Sequence, residues 1–220
     1  MERIELIEDY PSKIAGMLIN DEVDLGLIPV AATLKIPRWS IAGDYCIGCD
    51  GPVASVCIFS EVPMEKIETV YLDYQSRTSV NLAKVLLREY WKKDVLLIDA
   101  GGEDYRDKIT GTTAGVVIGD RALEQRSLSA YIYDLGEAWK DHTGLPFVFA
   151  AWIANKELPP DFILAFNEAN RIGLQHLPQV VAQNPFKPFD LYSYYTDYIQ
   201  YDLDDAKRKG LELFLDKLRS

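Results

Sequence analysis

The sequence predicts an α/β fold with parallel or mixed sheets. Apolar strand segments alternate with helical patterns along most of the 220 residues, and this alternation is typical of helices that pack on the faces of a sheet. The clearest unit is the strand 70–72, which is followed by a helix with Leu82, Val85 and Leu86 at three- and four-residue spacing. Because 48% of the residues are hydrophobic, the chain can bury a sizeable core, either as one domain or as two small lobes.

The first 44 residues predict two short strands, a buried strand and two helical segments. Apolar residues alternate with charge at 4–7, which is typical of a short strand, and Pro11 occupies the position that proline favours at the start of a helix. The mostly apolar segment at 23–28 is typical of a buried strand and is closed by Pro29. A helical turn at 29–34 and a weak strand at 39–42 follow, and Gly43-Asp44 predicts a turn.

The remaining segments continue the alternation. Strands are predicted at 53–59, 95–98, 114–118, 131–133 and 145–153, with a loop over 101–111. Helices are predicted at 137–141, 159–171, 174–182, 191–200 and 204–219, with Asp202 as the N-cap of the last one. Five tyrosines between Tyr192 and Tyr201 are attributed to packing, because their surroundings are acidic.

The segment Ser76-Arg77-Thr78-Ser79 stands where the 70–72 strand gives way to a helix. The first N–H groups of a helix are unpaired and its dipole is positive there, so three hydroxyls and a guanidinium at this point suit a small carboxylate or phosphate. The alternative is a Ser/Thr N-cap beside an exposed arginine. Both interpretations remain open on the motif alone.

Composition excludes several function classes. The net charge is −11, from 34 Asp and Glu against 23 Lys and Arg, so we expect neither nucleic acid nor an anionic membrane surface as a partner. No apolar run approaches the roughly 20 residues that span a bilayer, and the charged start of the chain lacks the apolar core of a signal peptide, so we expect a cytoplasmic protein.

The sequence predicts no cofactor and no metal. The spacing G-x-G-x-x-G and a Walker lysine are missing, which argues against nucleotide cofactors. Cys46, Cys49 and Cys57 are an odd number, and a lone C-x-x-C is weak evidence for zinc, so reduced thiols are the simplest interpretation. The sequence gives no indication of the oligomeric state.

Four segments resemble one known family. They are DYCIGCDGPVASV (44–56), LDYQSRTSV (72–80), VVIGDRAL (116–123) and DLGEAWKDHTGLPFVFAAW (134–152). The fold they indicate is similar to the two-lobed fold of type II periplasmic binding proteins, with doubly wound sheets and a ligand cleft between the lobes. Within that fold, the combination resembles the chorismate dehydratases of the futalosine route to menaquinone.

The resemblance implies a discontinuous first lobe of residues 1–65 and 139–220, and a second lobe of residues 66–138. The chain is expected to lack the family's usual first strand and its Asn-x-x-Pro segment, since it starts at what would be the second strand. The sibling enzyme 1,4-dihydroxy-6-naphthoate synthase shares the fold, but usually has histidine and glutamate where this chain has Gly119-Asp120. The dehydratase pattern is therefore favoured.

The resemblance also implies the site residues. Ser55 matches an active-site serine that faces the cleft, and Gly51, the 76–79 segment and Asp120 are assigned to substrate binding. Ser55 could instead be a buried serine bonded to the backbone, and Asp120 could merely cap the helix that begins near Arg121. The implied reaction removes water from chorismate to give 3-[(1-carboxyvinyl)oxy]benzoate. We hypothesise that the substrate's own enolpyruvyl carboxylate takes the proton while Ser55 steers it. A binding-only relative of the solute-binding proteins is the alternative.

Overall fold

The computed structural model describes residues 4–219, except for the side chain of Glu103. The helices are α1 (Pro11–Ile19), α2 (Arg77–Glu89), α3 (Asp120–Gln125), α4 (Leu135–Thr143), α5 (Pro160–Gln175), α6 (Leu177–Gln183), α7 (Leu191–Ser193) and α8 (Asp205–Arg219). Short 3₁₀ helices cover Val30–Lys35, Met64–Lys66 and Glu103–Lys108, and a π-helical turn covers Tyr194–Tyr198. The strands are β1 (Leu25–Pro29), β2 (Ser40–Cys49), β3 (Val56–Ser60), β4 (Thr69–Leu72), β5 (Leu96–Asp99), β6 (Thr113–Ile118), β7 (Tyr131–Asp134), β8 (Phe147–Ala154) and β9 (Gln200–Asp202).

These strands form two sheets. The first sheet has the order β1-β8-β2-β9, and its neighbouring strands are antiparallel. The second has the order β5-β4-β6-β3-β7 and is mixed, because β4 runs parallel to β5 and β6 while β3 runs antiparallel to β6 and β7. The mixed sheet fits the predicted alternation of strands and helices, whereas the first sheet is more antiparallel than that alternation suggests.

Strand β3 lies in the second sheet, and this differs from the predicted division into lobes. The boundary at residue 65 assigned β3 to the first lobe, but Val56 pairs with Ile118 and Cys57 pairs with Asp134. The sheets therefore divide the chain between Cys49 and Val56. The apolar run at 53–59 could not reveal this, because a strand buried on both faces has the same pattern in either sheet.

Three local predictions are wrong. Residues 4–7 form no strand, and Ile4 is exposed, since alternation yields a strand only where a neighbour pairs with it. Gly43-Asp44 lies inside β2 rather than in a turn; Gly43 has φ +73° where the pairing with β8 is irregular, as in a bulge. The N-cap of α8 is Asp204 rather than Asp202, because the Asp204 carboxylate accepts a hydrogen bond from the Lys207 N–H.

The spacing in α2 is confirmed: Leu82, Val85 and Leu86 are buried in the main core. An aromatic cluster extends this core between α4, β8 and α8, where Trp139, Phe147 and Phe214 meet edge-on with ring centroids 4.9–6.0 Å apart. Helices from both halves of the chain thus pack around one core.

The C-terminal ends of α2 and α8 are joined by Glu89. Its carboxylate accepts hydrogen bonds from Lys217 of α8 and from Arg88, and it lies 3.6 Å from the His142 ring of α4. The hydrogen bond from Lys217 is the largest influence, and these contacts lower the pKa of Glu89 from its ordinary 4.5 to about 2.

We expect Glu89→Gln to lower the free energy of unfolding by about 1–2 kcal/mol at pH 7. A lowered pKa means that the ionised carboxylate stabilises the fold above about pH 4.5, and that this stabilisation is lost as the pH falls toward 2. The difference between wild type and variant should therefore shrink below pH 4.5 in urea titrations. Glu212→Gln, an exposed position on α8, is the control, and a difference that does not change with pH would contradict the assignment.

Candidate functional site

The predicted site residues emerge at one edge of the second sheet. Strands β4 and β6 are parallel, with Tyr71 opposite Gly115, so their carboxyl ends lie at the same edge. Strand β3 starts there as well, because Val56 pairs with Ile118 in the antiparallel direction. The carboxyl ends of parallel strands are where open α/β sheets bind ligands.

Ser55 immediately precedes β3 at this edge and is only 4% exposed. Its Oγ lies 2.7 Å from the hydroxyl oxygen of Tyr194, and its carbonyl accepts a hydrogen bond of 2.8 Å from the Gly119 N–H. The alternative that the sequence leaves open is a hydrogen bond from the Ser55 hydroxyl to the backbone. The structure instead shows a hydrogen bond between the hydroxyl groups of Ser55 and Tyr194. This contact joins the start of the second sheet to the C-terminal part of the chain.

Tyr194 is the functional candidate that sequence reasoning missed, because the tyrosine cluster was attributed to packing. Burial raises the pKa of Tyr194 to about 12, the hydrogen bond with Ser55 acts in the opposite direction, and the nearby charges of Tyr195 and Asp120 raise it further. The phenol therefore keeps its proton at neutral pH and can donate it in a hydrogen bond. Tyr194 lies 139 positions from Ser55, so no local pattern could have revealed the pair.

The start of α2 shows the capping geometry. The Ser76 Oγ accepts a hydrogen bond from the Ser79 N–H at 3.2 Å and donates one to the Ser79 Oγ at 2.9 Å, while Arg77 is exposed. The alternative of a serine cap beside an exposed arginine thus describes this structure. Carboxylate binding by Ser76, Arg77 and Ser79 remains a prediction, because a capping hydroxyl still leaves other N–H groups of the first turn unpaired.

Thr78 is buried in this conformation, and its contact with substrate remains a prediction. It is 1% exposed, and its Oγ1 accepts a hydrogen bond of 3.1 Å from the Ala31 N–H. Ala31 lies in the 3₁₀ helix Val30–Lys35, which follows the first sheet's strand β1. In this conformation the Thr78 hydroxyl joins α2 to the unit of the first sheet rather than opening to solvent, because α2 packs directly on that helix.

Asp120 is the first residue of α3 and is exposed, with Gly119 at the cap position at φ +63°. The alternative in which Asp120 caps this helix is not what the structure shows, because the cap residue is Gly119. The Asp120 charge contributes to the raised pKa values of Tyr194 and Tyr195. The residue before Asp120, Gly119, donates its N–H to the Ser55 carbonyl, so Asp120 lies next to the segment that carries Ser55.

Arg121 connects α3 to the loop before α2. Its Nη2 donates to the Asp73 carboxylate at 2.8 Å and to the Gln75 side-chain oxygen at 2.9 Å. Asp73 is buried and also accepts a hydrogen bond of 2.7 Å from the Tyr105 hydroxyl. This buried ion pair fixes the two helix starts relative to each other.

Gly51 lies in the turn between the two sheets. Its φ of +116° is in the region that favours glycine, and its carbonyl oxygen is 2.6 Å from the place that a Cβ at Gly136 of α4 would occupy. The positive φ accounts for the glycine at position 51, and the close approach of the Gly51 carbonyl accounts for the glycine at position 136. Contact of Gly51 with substrate remains a prediction.

A cavity of about 420 Å³ lies elsewhere, between the first sheet and helices α5 and α6. Its walls are mostly apolar and include Leu27, Ile47, Trp152, Leu174 and Tyr201. None of the predicted site residues lines it. At the edge of the second sheet, Ser55 is buried, whereas Arg77 and Asp120 are exposed.

The model of a protein family described as menaquinone biosynthesis matches residues 1–220. The chain belongs to this family. A chorismate dehydratase from Thermus thermophilus is 28% identical to this chain over an alignment that is 242 residues long. The alignment covers 99% of this chain and 88% of that protein.

Two solved structures are similar in fold. A protein from Archaeoglobus fulgidus, AF1704, has a TM-score of 0.65 at 14% identity and covers 97% of this chain and 84% of its own. The periplasmic aliphatic sulphonate binding protein SsuA from Escherichia coli has a TM-score of 0.59 at 13% identity, with 97% and 76% covered. The predicted fold, similar to that of periplasmic binding proteins, is confirmed.

Within residues 4–219, no helix is long and apolar enough to cross a membrane. The same residues contain no group of three or more His, Cys, Asp or Glu side chains arranged to hold a metal ion. Cys46, Cys49 and Cys57 are buried free thiols. Burial raises the pKa of Cys46 to about 12 and that of Cys57 well above its ordinary value, so neither thiol is a ready nucleophile at neutral pH.

We expect Thr78→Val to lower the free energy of unfolding by about 1–3 kcal/mol, because it leaves the Ala31 N–H buried without its acceptor. Thr78→Ser keeps the hydroxyl and should retain most of the stability. Urea denaturation of both variants measures the difference. Equal stability of the valine variant and the wild type would show that the hydrogen bond contributes nothing.

Proposed function

We propose that this protein is a chorismate dehydratase, which removes water from chorismate to give 3-[(1-carboxyvinyl)oxy]benzoate. Membership of the menaquinone biosynthesis family and the likeness to the Thermus enzyme support the proposal. The observation that carries it is structural: the Ser55–Tyr194 hydroxyl pair and the start of α2 share one edge of the second sheet. The Ser55 and Tyr194 hydroxyls therefore lie at the same edge of the sheet as a helix N-terminus that suits a carboxylate. A cytoplasmic location stays a prediction.

The start of α2 is proposed to hold one of the two carboxylates of chorismate. The helix has 13 residues, so its N-terminus carries about half a positive charge together with unpaired N–H groups. Arg77 is exposed beside it and can form two parallel hydrogen bonds with a carboxylate. In a chain of net charge −11, such local positive charge is what a dianion needs.

The chemistry requires one proton transfer and one leaving hydroxyl. The C–H bond at ring carbon 3 breaks, its electrons form the new ring double bond, and the hydroxyl at carbon 4 leaves and combines with a proton as water. The ring becomes aromatic, so the product is strongly favoured. We propose that the enolpyruvyl carboxylate of the substrate accepts the proton, and that Ser55 hydrogen-bonds to this carboxylate and orients it.

The histidines support a base supplied by the substrate. His142 lies beside Glu89 and Tyr90, at the ends of α2 and α4 remote from the sheet edge. His176 is exposed at the end of α5, with its Nδ1 bonded to the Ile172 carbonyl. Neither ring contacts the Ser55–Tyr194 pair, so the protein offers no histidine base near it.

Substrate reaches Ser55 only when the packed edge opens. Ser55 is 4% exposed, and two hydrogen bonds, Ser55–Tyr194 and Ala31–Thr78, link the unit of the second sheet to the rest of the chain. We propose that these contacts loosen for substrate entry and that Tyr194 then positions Ser55 against the bound substrate. Such gating is common where a site must exclude water.

We expect Ser55→Ala to lower turnover of chorismate by at least about 100-fold while the binding affinity for chorismate stays within about threefold. The serine steers a proton transfer and does not supply the main binding charge. Product formation is followed by chromatography, and binding is measured by calorimetry.

Ser60→Ala, at the opposite end of β3, is the matched control and should keep turnover per folded molecule. No product from the wild type, with chorismate bound, would indicate the binding-only alternative. Lost binding with normal turnover per bound substrate would reject the role of Ser55.

We expect Tyr194→Phe to lower kcat by about 10–100-fold with little change in KM, because Ser55 loses the partner that fixes its hydroxyl at 2.7 Å. Steady-state kinetics with chorismate measures both constants. Tyr192→Phe changes an exposed tyrosine two positions away and should leave both constants unchanged. An unaltered kcat in the Tyr194 variant would contradict this role.

A further inference from the structure

The backbone that presents Ser55 is strained. Ala54 has φ +63°, although it is neither glycine nor exposed, and the Ser55 N–H donates to the Val53 carbonyl at 2.7 Å. A hydrogen bond that spans a single residue at positive φ is the rare, strained form of the γ-turn. Such a conformation costs on the order of 1–3 kcal/mol and persists only where its surroundings hold it.

Asp134, the last residue of β7, holds one side of this turn. Its carboxylate accepts hydrogen bonds from the N–H groups of Val53, at 3.0 and 3.1 Å, and of Ala54, at 2.7 Å. The same carboxylate caps α4 by accepting from Gly136 and Glu137. The buried Asp134 carboxylate therefore accepts hydrogen bonds from four backbone N–H groups, two in the turn and two in α4.

Arg126 holds the other side. It follows α3 directly, and its Nη1 donates to the Ala54 carbonyl at 3.1 Å. Its guanidinium carbon lies 6.0 Å from the centre of the Phe189 ring, and Phe189 meets Tyr194 edge-on at 6.3 Å. One side chain thus touches the turn that carries Ser55 and the ring that packs against Tyr194.

We propose that Arg126 is a positioning residue for the Ser55–Tyr194 pair. It restrains the carbonyl of the strained turn on one side and the aromatic neighbour of Tyr194 on the other, so both hydroxyls keep their relative placement. This role rests on the proposed function, in which Ser55 orients the reacting carboxylate. Arg126 is not hydrogen-bonded to either hydroxyl. It acts through the Ala54 carbonyl, the Phe189 ring and the Cys57 thiol of β3, whose Sγ lies 3.6 Å from its Nη1.

The test compares Arg126→Met with Arg126→Lys. Methionine keeps the apolar stem but removes the donor, so kcat for chorismate should fall by about 10–100-fold with KM within about threefold. Lysine keeps a charged donor, so kcat of Arg126→Lys should be at least about fivefold higher than that of Arg126→Met. Arg106→Met is the matched control, because Arg106 pairs with Glu124 of α3 at 3.3 Å and not with the turn; it should leave kcat unchanged.

A crystal structure of Arg126→Met provides a readout that does not depend on activity. We expect Ala54 to leave positive φ, or the Ser55 and Tyr194 oxygens to separate beyond 3.5 Å. An unchanged kcat overturns the proposal, and so does a fall in kcat with that geometry intact or an equal fall in the Arg106 control. If the wild type binds chorismate without converting it, the proposed function fails, and the structure alone then decides the positioning role. Should the methionine variant not fold, the same two measurements on the lysine variant decide it.

Discussion

The buried carboxylate of Asp134 fixes much of the site. It receives N–H groups from two separate segments, the turn before β3 and the first turn of α4. A buried charge is costly unless its hydrogen bonds are made, so the turn and the helix must both stay in place. The close approach of α4 to the Gly51 turn, where only a glycine fits at position 136, follows from the same arrangement.

Asp73 does for the end of β4 what Asp134 does for the end of β7. It follows β4 directly and accepts hydrogen bonds from Arg121, Tyr105 and the Gln75 N–H. Buried ion pairs of this kind contribute little net stability, because desolvation offsets most of the attraction. Their value here is geometric: the starts of α2 and α3, which carry the predicted binding residues, are held at fixed distances.

The sequence could predict those parts of the molecule that depend on local spacing. Helix α2 was predicted because its apolar positions repeat every three or four residues, and the Ser76 cap follows from its serine at the helix start. Ser55 could be assigned only through the resemblance, and its partner Tyr194 could not be found, because their contact joins distant segments. The sheet that receives β3 and the bulge at Gly43 likewise depend on strand pairing, which local patterns do not encode.

The chain has a net charge of −11 and the proposed substrate is a dianion, so the protein as a whole should repel it. The distance between most acidic residues and the sheet edge weakens this repulsion. At physiological ionic strength, interactions between exposed charges fade beyond about 8 Å, so most of the 34 acidic residues act weakly on a ligand at the sheet edge. Arg77 lies at this edge, and Arg121 and Arg126 lie beside it, one at the start and one just past the end of α3. Asp73 already neutralises Arg121, and Arg126 is engaged by the Ala54 carbonyl. Of these three arginines, only Arg77 is exposed, and with the start of α2 it is the positive charge proposed to meet a carboxylate, while the exposed Asp120 adds a negative charge at the start of α3. Opposite charges at the starts of α2 and α3 would favour one orientation of a substrate that carries its carboxylates on one side and its leaving hydroxyl on another.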